Sequence, residues 1–145
     1  MTTRILFVCL GNICRSPSAE AVFRSLSDGL DVEIDSAGTA GYHVGEPPYG
    51  PMQQAAARRG LDMSGLRARQ FTAADFDRFD LIIAMDPDNL RNINHLRDSS
   101  QTPVRLFTDY VEAGGDTVPD PYYTRDFDGT LDLIERCARG LRDSL

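Results

Sequence analysis

This chain contains no lysine: all 15 of its basic residues are arginine. That absence excludes a P-loop nucleotide site, which needs a lysine for its phosphates, and a Schiff-base enzyme, which needs one as nucleophile. Cysteine is scarce, with three residues and no secretory signal ahead of them, which argues against a disulfide-stapled scaffold. The two histidines, His43 and His95, stand apart in the sequence. Neither begins a metal site, and surface or capping roles are expected for both. No apolar run approaches the length of a membrane span, and the first residues enter a short strand rather than a signal-peptide pattern. The expected compartment is the cytoplasm, with no membrane insertion. Positive charge is also in deficit, and a net charge of -7 makes nucleic acid and anionic membranes poor partners.

What is present suffices for one domain over residues 1–145. The chain is 41% hydrophobic, enough for a real core and too short for two. Strand and helix signals alternate along it. Ile5 to Val8 reads as a buried strand, Val32 to Ser36 as a second, Asp80 to Met85 as a third and Val104 to Phe107 as a fourth. Helical periodicity falls over Met52 to Gly60, Ala73 to Arg78, Asp88 to Leu96 and Phe127 to Leu141, with Gly60 in a stop position. Gly114 to Tyr123 reads as a loop. Strands separated by helical crossovers predict an α/β fold, a four-stranded parallel sheet in the doubly wound, flavodoxin-like order 2-1-3-4 with helices on both faces. The first crevice of such a sheet lies at the end of its first strand.

There the chain reads Cys9-Leu10-Gly11-Asn12-Ile13-Cys14-Arg15-Ser16-Pro17. Ser16 occupies an N-cap position and Pro17 a first helical position. A thiol therefore ends a strand, in a loop whose amides, Leu10 to Arg15, face an anion site at a helix N-terminus. Arg15 can fork two hydrogen bonds onto the same anion. Gly11 and Asn12 supply the unusual backbone angles that such a cradle needs. Positive potential from amides, helix and Arg15 favours thiolate at Cys9. A hydroxyl bond from Ser16 would ease the departure of that sulfur from phosphorus. These residue types at this spacing predict a phosphate cradle with a nucleophile at its floor.

A thiolate displaces an alkoxide or phenoxide slowly unless an acid protonates the leaving oxygen. Asp120, between Pro119 and Pro121 and followed by Tyr122 and Tyr123, is the candidate. The prolines stiffen the loop and the tyrosines can anchor it.

The run Val8 to Pro17 and the late Asp120-Pro121-Tyr122-Tyr123 resemble the low-molecular-weight protein tyrosine phosphatases. Asp35 to Thr39, Gly45 to Pro48, Ala68 to Gln70 and Met85 to Leu90 resemble that family in the same order. The resemblance implies Cys9 as nucleophile, Arg15 as phosphate clamp and Asp120 as general acid, then base. It implies that Asn12 and Ser16 hold the loop, that Ser36 buttresses Asn12, and that Tyr42 walls the substrate ring. Tyr122 and Tyr123 fall where the family carries tyrosines that can be phosphorylated. No metal or other cofactor is implied. The implied partner is a phosphotyrosine-containing protein, with a bacterial tyrosine kinase or its substrates one possibility. Leu66 stands where many relatives carry a histidine.

Ile13 is bulky where related arginine phosphatases carry threonine. It can pack on a phenyl ring and crowd a guanidinium, so phosphotyrosine is favoured over phosphoarginine. Two other classes stay open: an arsenate reductase sharing the cradle, which needs further redox cysteines where this chain has none between Cys14 and Cys137, and a non-catalytic anion or flavin-phosphate module. Cys14 has two readings, space-filling under the loop or reversible disulfide partner of Cys9. Arg58-Arg59 is expected at a solvated helix end, Asp75, Asp77 and Asp80 on the surface, and Asp86-Pro87-Asp88 at a helix start.

Overall fold

The computed structural model describes residues 1–112 and 114–145. Strand β1, Thr3–Cys9, lies inside a four-stranded sheet between β2, Val32–Gly38, and β3, Leu81–Ala84, while β4, Val104–Leu106, forms an edge. Every pairing is parallel and the order is β2-β1-β3-β4, as the alternating pattern predicts. Parallel neighbours need long crossovers, and these carry α1, Arg15–Ser25, then α2, Gly50–Ala57, with α3, Asp75–Arg78, then α4, Pro87–His95. A single 3-10 turn, Phe107–Tyr110, leads to α5, Pro121–Thr124, and the closing helix α6, Phe127–Ser144.

The side chains of β1 alternate between two cores. Ile5, Phe7 and Cys9 pack with Phe23 of α1, Ala56 of α2 and Ile134 of α6. Leu6 and Val8 face the other way, onto Phe76 of α3 and Ile93 of α4. Both faces are covered, which is why the strand reads as an unbroken apolar run. In α6, Leu131, Ile134, Cys137, Ala138 and Leu141 are all buried, the three-and-four spacing of one helix face. Asp126 caps its start by accepting from the Gly129 amide at 2.9 Å.

Several elements differ from the sequence expectation. Strand β2 runs on to Gly38 because Ala37 and Gly38 keep pairing with Val8 and Cys9. Helix α2 starts at Gly50, with Pro51 in its first turn, and ends at Ala57, with Gly60 at φ 79° just beyond. Arg59 is no solvated helix end. Its guanidinium reaches Asp132 at 2.9 Å, Glu135 at 3.2 Å and Asp128 at 3.5 Å, tying the end of α2 to α6. Asp75 is fully buried, with both oxygens 3.1 Å from Arg69 and one accepting from the Thr72 amide. An arginine from outside α3 neutralises it, a contact that local spacing does not reveal. Among the described residues no helix is long and apolar enough to cross a membrane.

Candidate active site

The loop between Cys9 and Arg15 is shaped by where its carbonyls go. Cys9 O accepts from Thr39 N, Leu10 O from Ala40 N and Ile13 O from Tyr49 N, each at 2.9 Å. Cys14 O accepts from the Ser18 hydroxyl at 2.6 Å. In a trans peptide the following N–H points opposite to the carbonyl. The amides of Leu10, Gly11, Cys14 and Arg15 therefore turn away from this outer ring of partners, into the loop. The Asn12 amide donates to Cys9 Sγ at 3.3 Å. Helix α1 begins at Arg15 with no side-chain cap, so its first N–H groups also face the cradle.

Two local expectations are corrected here. Ser16 is not the N-cap and Pro17 is not the first helical residue: Cys14 holds the cap position and Arg15 starts the helix. The Ser16 hydroxyl is engaged inside the loop, 3.0 Å from Cys9 Sγ, 3.3 Å from Ala37 O and accepting from Asn12 Nδ2 at 2.7 Å. Gly11 stays out of the left-handed region, which Asn12 enters instead at φ 57°. Its side-chain bonds hold Asn12 in that conformation. What Gly11 supplies is room, since a Cβ there would meet the His43 ring at 3.0 Å.

Asn12 is the hub of a buried chain of bonds. Its Nδ2 donates to Ser16 Oγ and to Ser36 Oγ at 3.0 Å, and its Oδ1 accepts from the Arg69 amide at 3.0 Å. Ser36 in turn donates to Glu20 Oε1 at 2.7 Å, and Arg24 to Glu20 Oε2 at 2.6 Å. Glu20 is only 4% exposed. Burial pushes its carboxyl above the ordinary range against the bonds from Ser36 and Arg24. Glu20 is a residue that sequence reasoning missed. Its position on the inward face of α1 was the available signal.

The Arg15 guanidinium is buried and clamped. Nη1 donates to Asp86 Oδ2 at 2.7 Å and to Val118 O at 3.1 Å, while Nη2 lies 3.5 Å from Asp120 Oδ2. Burial works to lower its pKa, and the charges of Cys9, Asp86 and Asp120 outweigh that and raise it. Asp86 starts α4 as expected, its Oδ1 accepting from the Asn89 amide at 2.7 Å, but its hold on Arg15 was not foreseen. Asp120 is less of a loop residue than the prolines suggest. It caps the short helix α5 by accepting from the Tyr122 amide at 3.1 Å.

These residues surround a cleft of about 210 Å³. Cys9, Ile13 and Arg15 contribute to its wall, as do Asp120, Tyr122 and Tyr123. Tyr42 and His43 line it too, Tyr42 being 78% exposed at the mouth. His43 was expected to be peripheral. It is held by Glu46 and belongs to the cleft. Burial and the nearby charges of Cys9 and Asp120 push the Cys14 thiol up to about 12, and burial pushes Cys137 up to about 11. Leu66 is half-buried and packs against the core. A phosphate dianion is chemically suited to this arrangement: inward amides, one fixed guanidinium, a thiol at hydrogen-bond distance from a hydroxyl, and a carboxyl across the cleft.

Comparison with known proteins agrees in scale. The family model described as low molecular weight phosphotyrosine protein phosphatase matches residues 4–145. The low molecular weight protein-tyrosine-phosphatase YfkJ of Bacillus subtilis is 44% identical over 137 residues, 90% of this chain and 88% of that protein. Its crystal structure superposes with a TM-score of 0.93 at 41% identity, covering 99% of this chain and 94% of the other. The human low molecular weight phosphotyrosine protein phosphatase is 42% identical over 148 residues, 97% of this chain and 92% of that one. The Drosophila arginine phosphatase DARP superposes with a TM-score of 0.89 at 31% identity, over 97% of this chain and 96% of the other.

Proposed function

The chain belongs to the low molecular weight phosphotyrosine protein phosphatase family, and on that premise we propose that it hydrolyses phosphotyrosine in proteins, and small aryl phosphates, through a phosphocysteine intermediate. Residues 1–145 act as one catalytic domain. The observation that carries the reading is the setting of Cys9: its sulfur lies 3.0 Å from the Ser16 hydroxyl and 3.3 Å from the Asn12 amide, in a loop whose helix opens on Arg15.

The phosphate dianion seats among the N–H groups of residues 10–16, and Arg15 meets it with Nη2. The 2.7 Å bond to Asp86 and the 3.1 Å bond to Val118 O hold the other end of the guanidinium. The longer 3.5 Å approach of Asp120 is the contact that a dianion can displace. Cys9 Sγ attacks phosphorus in line with the phenolic oxygen; the S–P bond forms as the P–O bond breaks, and Asp120 gives its proton to the departing oxygen. Water then attacks the phosphocysteine, Asp120 takes the water proton, and the S–P bond breaks. The Ser16 hydroxyl stabilises the released thiolate.

Ile13 supports the tyrosine substrate. It is 9% exposed and turned to the cleft, where an apolar side chain packs on a ring and leaves a guanidinium's N–H groups unpaired. The decisive experiment compares kcat/KM on phosphotyrosine, phosphoserine and phosphoarginine peptides and traps the intermediate by rapid quench. Phosphotyrosine should lead, with label on Cys9 and no turnover by Cys9→Ser. Label on another side chain, or a lead for phosphoarginine, would refute the reading.

A further inference from the structure

Arg125 adopts an uphill backbone conformation. It is one of two non-glycine residues with positive φ among those described, at 63°; the other is Asn12 of the cradle. It closes α5, its amide donating to Pro121 O at 2.9 Å, and α5 opens on Asp120. At about 1.5 Å per helical residue, Arg125 sits roughly 8 Å along the chain axis from the proposed acid.

Its guanidinium is held from two sides. Nη1 donates to the Tyr49 hydroxyl at 2.9 Å, and the charged centre lies 5.3 Å from the Tyr49 ring and 5.1 Å from the Phe127 ring. Tyr49 is itself built into the site: its amide bonds Ile13 O, and its ring stands 5.1 Å from Tyr122, which lines the cleft. The charge reaches the cradle, where it works against the rise of the Cys14 thiol. Arg15 is engaged by two carboxylates. Arg125 has none within 4 Å among the described residues, so most of its donors face solvent beside the cleft.

We propose that Arg125 is a specificity determinant that receives the carboxylate of an aspartate or glutamate lying one to three residues from the phosphotyrosine of the substrate. The inference rests on the phosphotyrosine reading above. An extended peptide advances about 3.3 Å per residue, so one to three residues, about 3 to 10 Å, bracket the roughly 8 Å that separate Arg125 from Asp120 along the chain. A planar guanidinium matches a carboxylate with two parallel bonds. Stacking on two rings holds it in place beforehand and limits the entropy lost on binding. On a chain of net charge -7, an unneutralised cation beside the cleft offsets the general repulsion of acidic segments.

The test measures kcat/KM for three phosphotyrosine peptides, flanked by glutamate, alanine or lysine, and for a small aryl phosphate. Arg125→Asn removes the charge with a residue that tolerates the left-handed region, and Arg125→Lys keeps the charge without the fork. The native chain should favour the glutamate peptide over the alanine peptide by about two- to fivefold at low salt. The preference should vanish in Arg125→Asn, persist in part in Arg125→Lys, and fade at about 1 M salt. No preference in the native chain overturns the inference. So does a loss in Arg125→Asn that is equal for all peptides and the aryl phosphate, because that marks a packing role. Failure of every phosphotyrosine peptide to turn over overturns the functional reading itself, and the inference with it.

Discussion

At the scale of single residues, the two carboxyl groups Asp120 and Glu20 perform opposite services. Asp120 lines the cleft, where the proposed mechanism asks it to deliver a proton. Asp120→Asn keeps an oxygen for the Tyr122 amide bond but has no acidic proton to give. Its kcat/KM on phosphotyrosine, which reports the leaving-group step and not the shared hydrolysis of the intermediate, should fall by about 10²- to 10⁴-fold, and far less on a nitrophenyl phosphate, whose leaving group needs little help from an acid. Equal losses on both would remove Asp120 from that role. Glu20 never meets substrate; it anchors the Ser36–Asn12–Ser16 chain under Cys9. Its folded pKa is raised by burial, so its stabilising contribution is present below the ordinary carboxyl value and is lost as pH rises through the raised one. Relative to the native chain, Glu20→Gln should melt higher at about pH 7.5 than at about pH 4. It should also lose activity severalfold, because a carboxamide can offer N–H to Ser36 and reverse the bond that orients it. Paired thermal melts and steady-state rates check this, and unaltered activity would detach Glu20 from the cradle.

At the scale of elements, the end of β2 does as much for the cradle as the loop itself. Gly38 pairs with Cys9, and a Cβ built on it would lie 2.7 Å from Leu10 O and 3.0 Å from the Gly11 carbonyl carbon. Those atoms are backbone and cannot swing aside. Gly38→Ala should therefore push the loop outward and lower kcat/KM by about 10²-fold, the scale of a misplaced reacting group, while circular dichroism still reports a folded chain. Activity within twofold of native would mean that the loop yields without consequence. The sequence places this glycine two residues past the expected end of the second strand at Ser36 and does not reveal the contact, because the backbone it touches belongs to another strand's end. The short helix α5 has a similar history. Asp-Pro is a helix-opening pair as well as a turn, and only the tyrosines packing behind it, Tyr122 on Tyr49, favour the helix.

At the scale of the molecule, the strand that ends on Cys9 is seated on a packed aromatic centre. Phe7 is fully buried two residues before Cys9, its ring 5.7 Å from Phe23 and 5.3 Å from Phe107. Phe7→Ala should cost about 3–5 kcal/mol in urea unfolding, against a total of about 5–15 kcal/mol for an ordinary domain. A cost below about 1 kcal/mol would show that the core closes over the lost ring.

The sequence by itself determined the parallel sheet, its strand order and the placing of Cys9, Arg15 and Ser16 in one loop at the end of the first strand. Those follow from short-range information: apolar runs of strand length, helix periodicity, and a nucleophile, glycine and arginine within one loop. Only the tertiary structure decided that Asp86, 71 positions from Arg15, would lock its guanidinium. The same holds for Glu20 standing behind Asn12, for Arg59 as a clamp, and for His43 in the cleft wall. Each depends on which distant strand end or helix face comes to lie alongside, and a side chain's partner across such a distance is chosen by packing, on which local residue patterns are silent.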